Sequence, residues 1–154
     1  MNGKPRVLIV EARFYEDIAD ELAKGAMAVL DEAGVAYDRI AVPGVFEVPA
    51  VMRFALRAME IQTAEGRYSG FISLGCVIRG ETDHYDHICR EASHALMNLA
   101  MTFSVAMGFG VLTCESHEQA WVRAAVDKKN KGADAANACL RMMEIKKLLR
   151  LTPQ

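Results

Sequence analysis

Gly70-Phe71-Ile72-Ser73-Leu74-Gly75-Cys76-Val77-Ile78-Arg79-Gly80-Glu81-Thr82-Asp83-His84-Tyr85-Asp86-His87 is the stretch whose reading decides the fold. Its first half is a continuous apolar run, as expected of a strand buried on both faces. The run breaks at Arg79-Gly80 and enters a helix through Glu81-Thr82-Asp83. A strand that feeds a helix through a glycine turn belongs at the carboxyl edge of a parallel sheet, where open α/β folds bind ligands. The first N–H groups of such a helix lack partners, and its dipole favours an anion. Thr82 adds a hydroxyl, and His84 is expected one turn in as a titratable group. The turn therefore pairs an anion site with an acid/base candidate.

Gly75 to Thr82 nearly matches the nucleoside-triphosphate loop G-x-x-x-x-G-K-[ST], but Glu81 stands where its lysine would reach the terminal phosphates. The opposite charge argues against ATP or GTP and leaves room for a single small phosphate.

Working outward, Val7-Leu8-Ile9-Val10 is a second buried strand, followed by a helix carrying Ile18, Leu22, Ala26, Val29, Leu30 and Ala33 at helical spacing and closed by Gly34. A strand from Ala36 to Val42 stops at Pro43-Gly44. Val48, Val51, Met52, Ala55, Leu56 and Met59 then form a helical stripe. Gly66 and Ser69 punctuate the approach to the Gly70 strand. Past the histidines, Ile88, Ala92, Ala95, Leu96, Leu99 and Phe103 share one helix face. A fourth strand is expected over Val105–Leu112, its Gly108 and Gly110 marking close approach by another backbone or a ligand. Helices are expected over 115–127 and 131–149. Strand–helix alternation implies a four-stranded parallel sheet with helices on both faces, an α/β three-layer fold.

The 154 residues fit one domain, 1–154, with 52% apolar residues and a net charge of 18 − 20 = −2. That balance excludes nucleic acid and acidic membrane surfaces as expected partners. No apolar run is long enough to span a bilayer, and Met1-Asn2-Gly3-Lys4-Pro5 has no signal-peptide character. Cys76, Cys89, Cys114 and Cys139 are scattered, as free thiols of a cytoplasmic protein would be. His84, His87 and Asp83 lack a third ligand in sequence, so no metal site is expected.

Three loops should meet on one rim: Arg13-Phe14-Tyr15, Pro43-Gly44-Val45-Phe46-Glu47, and Arg79 to His84. Two aromatics, a carboxylate, a histidine and helix amides suit a flat polar ring with a phosphate nearby. A receiver-domain reading fails, because the first strand ends in a single Glu11 and the third in Cys76-Val77 rather than a phospho-acceptor aspartate.

Gly75-Cys76-Val77-Ile78-Arg79-Gly80-Glu81-Thr82-Asp83-His84 resembles the lumazine synthase signature G-[TC]-V-I-R-G-x-T-x-H. Ala12-Arg13-Phe14, Val42 to Pro49, Phe109 to Glu115 and Asn130-Lys131-Gly132-Ala133 resemble further blocks of that family, in family order and over nearly the whole chain. The resemblance implies a flavodoxin-like sandwich and a transferase of riboflavin biosynthesis, working without a cofactor. It would join 5-amino-6-ribitylaminouracil to 3,4-dihydroxy-2-butanone 4-phosphate, giving 6,7-dimethyl-8-ribityllumazine. It also implies a homopentamer with active sites at subunit interfaces, and association with riboflavin synthase.

Carried over by position, Phe14 would stack on the pyrimidine. Val45, Phe46 and Glu47 would hold the ring and ribityl chain, and backbone at Cys76, Val77 and Ile78 would read the uracil edge. Glu81 and Thr82 would bind phosphate through backbone N–H groups, and His84 would move protons. Phe109, Arg123 and Lys131 would come from the adjacent subunit, Arg123 to the phosphate and Lys131 to the pyrimidine.

Three departures stand out: Tyr15 for asparagine, Cys76 for threonine, and Glu81 where small residues are frequent. A carboxylate there must point away from the phosphate or pair with a cation such as Arg79 or Arg123. Ala125-Val126-Asp127-Lys128-Lys129 lacks the glycines linked to shells, which favours a free pentamer or paired pentamers. The competing reading is a catalytically weak lumazine- or flavin-binding paralogue.

Overall fold

The structure, a computed structural model, describes residues 4–63 and 67–151. Gly66 and the first three residues fall outside the described part. Four strands, β1 (Arg6–Ala12), β2 (Ala36–Val42), β3 (Gly70–Ile78) and β4 (Met107–Cys114), form one parallel sheet in the order β2-β1-β3-β4. The helices are α1 (Glu16–Ala33), α2 (Val48–Glu60), α3 (His84–Phe103), α4 (His117–Ala124) and α5 (Lys131–Leu148), with a 3-10 turn at Val45–Glu47 leading into α2. This is the expected α/β three-layer fold.

Alternation along β1 divides the core, since successive side chains leave a strand on opposite faces. Val7 and Ile9 pack with Leu22 and Leu30 of α1 and with small residues of α4 and α5. Leu8 and Val10 pack with Met52 of α2 and Leu96 of α3. Leu8, Ile9, Leu22 and Leu96 are essentially inaccessible to solvent, and each such side chain contributes about 1.5–3 kcal/mol by leaving water. β3 is buried from Gly70 to Cys76, matching its unbroken apolar run.

Gly34 ends α1 as expected. It adopts φ 67°, in the left-handed region, while its N–H bonds the Asp31 carbonyl and that of Val35 bonds Leu30. The glycines of β4 answer a question the sequence left open. A side chain built on Gly108 would overlap the Ala135 carbonyl of α5, and one on Gly110 would press on Ala135 Cβ and Leu74. The approaching group is helix backbone at Gly108 and neighbouring side chains at Gly110, not ligand.

Three boundaries differ from expectation. β4 spans Met107–Cys114 rather than Val105–Leu112. Val105 is buried but closes α3, donating to the Ala100 carbonyl, and Ser104 takes φ 54°. α4 is shorter than expected, starting where the Ser116 hydroxyl accepts from Gln119 N–H. His84 opens α3 instead of lying one turn inside it. Two stripe residues also lie outside the core: Ala33 is exposed at the end of α1, and Phe103 is exposed beneath the Arg53 guanidinium, 4.5 Å from its ring centre.

Candidate active site

β1 leads to β2 on one side of itself and, by way of α2, to β3 on the other. The crevice at such a reversal is where open α/β sheets hold ligands. A cleft of ≈ 690 Å³ lies there, within the usual range of about 300–1,000 Å³ for small-molecule sites. The corner after β1 supplies Phe14 and Tyr15, and the turn after β2 supplies Pro43 to Glu47. The end of β3 supplies Cys76, Val77 and Ile78, and α3 supplies His84, His87, Ile88 and Glu91.

Eight of the thirteen residues expected in the site therefore line one cleft: Phe14, Val45, Phe46, Glu47, Cys76, Val77, Ile78 and His84. Glu81 and Thr82 occupy the turn just before α3 but are not part of the cleft wall. Phe109 on β4, Arg123 on α4 and Lys131 at the start of α5 lie elsewhere on the subunit.

Phe14 is 72% exposed and Phe46 60%, so neither ring is core. Phe14 and Tyr15 meet in an edge-to-face contact, with ring centres 4.9 Å apart and planes at 77°, and the exposure of Phe14 leaves ring surface open to a stacked partner. Glu47 is exposed where the 3-10 turn passes into α2. The Thr82 hydroxyl accepts from His84 N–H at 3.3 Å, and His87 Nε2 lies 3.2 Å from Asp83 Oδ2.

Cys76 forms part of the cleft floor, and burial, reinforced by neighbouring Cys114, pushes its thiol up to about 12. It is neutral at physiological pH and a poor nucleophile. Burial also raises the Tyr15 phenol, with a further push from Cys76. The cleft wall also carries two imidazoles, those of His84 and His87.

Arg79 is engaged away from Glu81. Its Nε donates to Glu115 at 3.0 Å, its Nη2 lies 3.4 Å from Asp86, and its guanidinium covers the Tyr85 ring at 4.3 Å. Arg123 donates to the Gln119 carbonyl, and Lys131 pairs with Asp134 at 3.1 Å. Glu81 is exposed and makes no ion pair among the described residues.

His87, Ile88 and Glu91 were not among the expected site residues. From His84 they fall at +3, +4 and +7, one face of a helix, so the signal was present. Ile88 was instead assigned to the apolar stripe with Ala92, and it serves both, half-buried between core and cleft.

A parallel α/β domain with a cleft of small-molecule size at its strand-order reversal is the class that fold and site define. The 6,7-dimethyl-8-ribityllumazine synthase family model matches residues 4–147. Proteins named 6,7-dimethyl-8-ribityllumazine synthase from Paramagnetospirillum magneticum and Agrobacterium fabrum are 49% and 51% identical over 147 residues, 96% of this chain and 98% of each relative. One from Rhizobium meliloti, named 6,7-dimethyl-8-ribityllumazine synthase 1, is 50% identical over 143 residues, 93% of this chain and 92% of that protein. The chain belongs to the 6,7-dimethyl-8-ribityllumazine synthase family.

Proposed function

We propose that the chain condenses 5-amino-6-ribitylaminouracil with 3,4-dihydroxy-2-butanone 4-phosphate to give 6,7-dimethyl-8-ribityllumazine, phosphate and water. The observation that carries the reading is the convergence of three separate motif blocks, around Phe14, Glu47 and His84, on one cleft. The aminouracil's 5-amino group attacks the ketone, and loss of water leaves an imine. Phosphate is then eliminated, leaving an enol that tautomerises to a ketone. The ribitylamino nitrogen closes the ring on that ketone with loss of a second water.

Each step moves a proton near neutral pH, and His84 stands at the cleft wall to do so. Holding two substrates together contributes more, on the order of several kcal/mol. Phe14 stacks on the pyrimidine, Val45, Phe46 and Glu47 hold its ribityl chain, and backbone at Cys76, Val77 and Ile78 reads the uracil edge. Phosphate sits on the backbone N–H groups of Glu81 and Thr82.

The subunit, one domain, works in a homopentamer whose neighbour contributes Phe109, Arg123 and Lys131 to each site. Support comes from their position: none lines the cleft of its own subunit, and Phe109 is half-exposed on an edge strand. Pentamers stay free or paired rather than building a shell. The enzyme is cytoplasmic and passes its product to an associated riboflavin synthase.

Purified protein mixed with both substrates should form lumazine, followed by its absorbance, well above the uncatalysed rate. His84→Ala should lower kcat on the order of 100-fold without abolishing turnover, the low end of what positioned acid–base assistance contributes. Arg123→Ala should raise KM for the butanone phosphate and leave that for the aminouracil nearly unchanged. A folded wild-type protein no faster than the bare mixture would replace this reading with that of a lumazine- or flavin-binding paralogue.

A further inference from the structure

We infer that Glu11 and Arg13 are positioning residues that aim Phe14 at the pyrimidine; the inference rests on the stacking role proposed above for Phe14. Glu11 is 2% exposed at the end of β1, on the sheet face that carries Val7 and Ile9. Its carboxylate accepts from Arg39 Nε at 2.6 Å and Nη2 at 2.9 Å, and from Arg13 Nη1 at 2.9 Å. Arg13 then reaches across the β1–α1 corner, donating from Nη2 to Glu16 at 2.8 Å and to Asp20. One guanidinium thus ties Glu11, next to last in β1, to the first two turns of α1 across the corner that holds Phe14.

Backbone hydrogen bonding leaves that corner dependent on the side chain. Arg13 N–H bonds the Val42 carbonyl at 3.0 Å, and the next bond along the chain is Ala19 N–H to the Tyr15 carbonyl at 2.9 Å. Phe14 lies between them, its ring largely exposed and in edge-to-face contact with Tyr15. A buried ionic cluster is a weak source of stability, because desolvation offsets most of the attraction. What a planar fork with fixed donors does supply is a single geometry. Two arginines around one buried carboxylate are therefore a device for direction, and the group they direct is the exposed ring that follows Arg13.

Arg13→Met keeps the aliphatic stem and removes the fork. It should raise KM for the aminouracil about tenfold while KM for the butanone phosphate changes less than about twofold, the pattern of a lost substrate-binding geometry at one subsite. In a Phe14→Ala background the same substitution should have no further effect on that KM, since residues acting as one unit are non-additive. Arg13→Lys should restore little, lacking the fork. The exposed pair Glu16→Gln with Asp20→Asn, which leaves the core intact, should give a smaller rise of about threefold in the same KM. Equal rises in both KM values, or an undiminished effect of Arg13→Met in the Phe14→Ala protein, would overturn the inference. Amide hydrogen exchange at Arg13 and Ala19 in the ligand-free protein decides it independently of the reaction. Faster exchange in Arg13→Met supports the positioning role, and unchanged exchange counts against it even if the wild type makes no lumazine.

Discussion

Cys76 shows how far one residue's surroundings can set its chemistry. It lines a cleft where a thiol could attack an electrophile, yet burial holds it protonated, with its thiol at about 12. Cys139 is pushed up to about 12 by burial between β3 and α5, and Cys114 is raised for the same reason. Iodoacetamide at pH 8 should therefore modify these three slowly in the native protein and rapidly once urea unfolds it; mass spectrometry of tryptic peptides reads the order. Fast native labelling of Cys76 would mean the cleft floor is open to solvent. At this scale the sequence was informative where a residue type is rare in its setting. A histidine at a helix start, an aromatic after a strand and a carboxylate after Pro-Gly all proved to share one cleft. It was silent about the ion pairs of Glu11, because a charged residue ending an apolar strand carries no mark of its partners.

Among the elements, the close seat of α5 on the sheet depends on Gly108. Gly108→Ala would drive a methyl group into the Ala135 carbonyl, and backbone cannot swing aside as a side chain can. A loss of about 2–3 kcal/mol is expected, in the range for overpacking a tight contact, and urea unfolding of the variant would measure it. Strand β2 is tied in differently. Arg6 Nε donates to Asp38 at 2.7 Å and Tyr68 donates its hydroxyl at 2.8 Å, and the Arg6 bond in particular holds the Asp38 carboxyl below its usual range. A carboxyl whose value is lowered by folding stabilises the protein above its unfolded value, and that contribution is lost as pH falls through the folded one. Asp38→Asn should accordingly flatten the decline of Tm below about pH 4; an acid limb of unchanged steepness would exclude Asp38 as a contributor. The type and order of the nine helices and strands among the described residues were legible from apolar period and glycine punctuation. The start of β4 was not, because Val105 and Ala106 are as buried as strand residues while their backbone bonds serve a helix end and the edge of β3. Apolarity reports burial, and only the hydrogen bonds report which element is buried.

For the whole molecule, what matters is that the expected site residues do not all gather in one cleft of the chain. Phe14, Glu47 and His84 share a cleft while Phe109, Arg123 and Lys131 do not reach it. If the ring proposed above completes each site from its neighbour, two defective subunits should repair each other. Co-expressing His84→Ala with Arg123→Ala at equal levels would place an intact histidine beside an intact neighbouring arginine at about one interface in four, by random assortment around a closed ring. At low butanone phosphate the mixture should then show about a quarter of wild-type activity, well above either parent. A site built wholly within one subunit predicts instead the mean of the two parents, because no mixing can bring the missing groups together. The comparison needs no structure of the assembly. It asks only whether Arg123 serves the histidine of its own chain or that of the next.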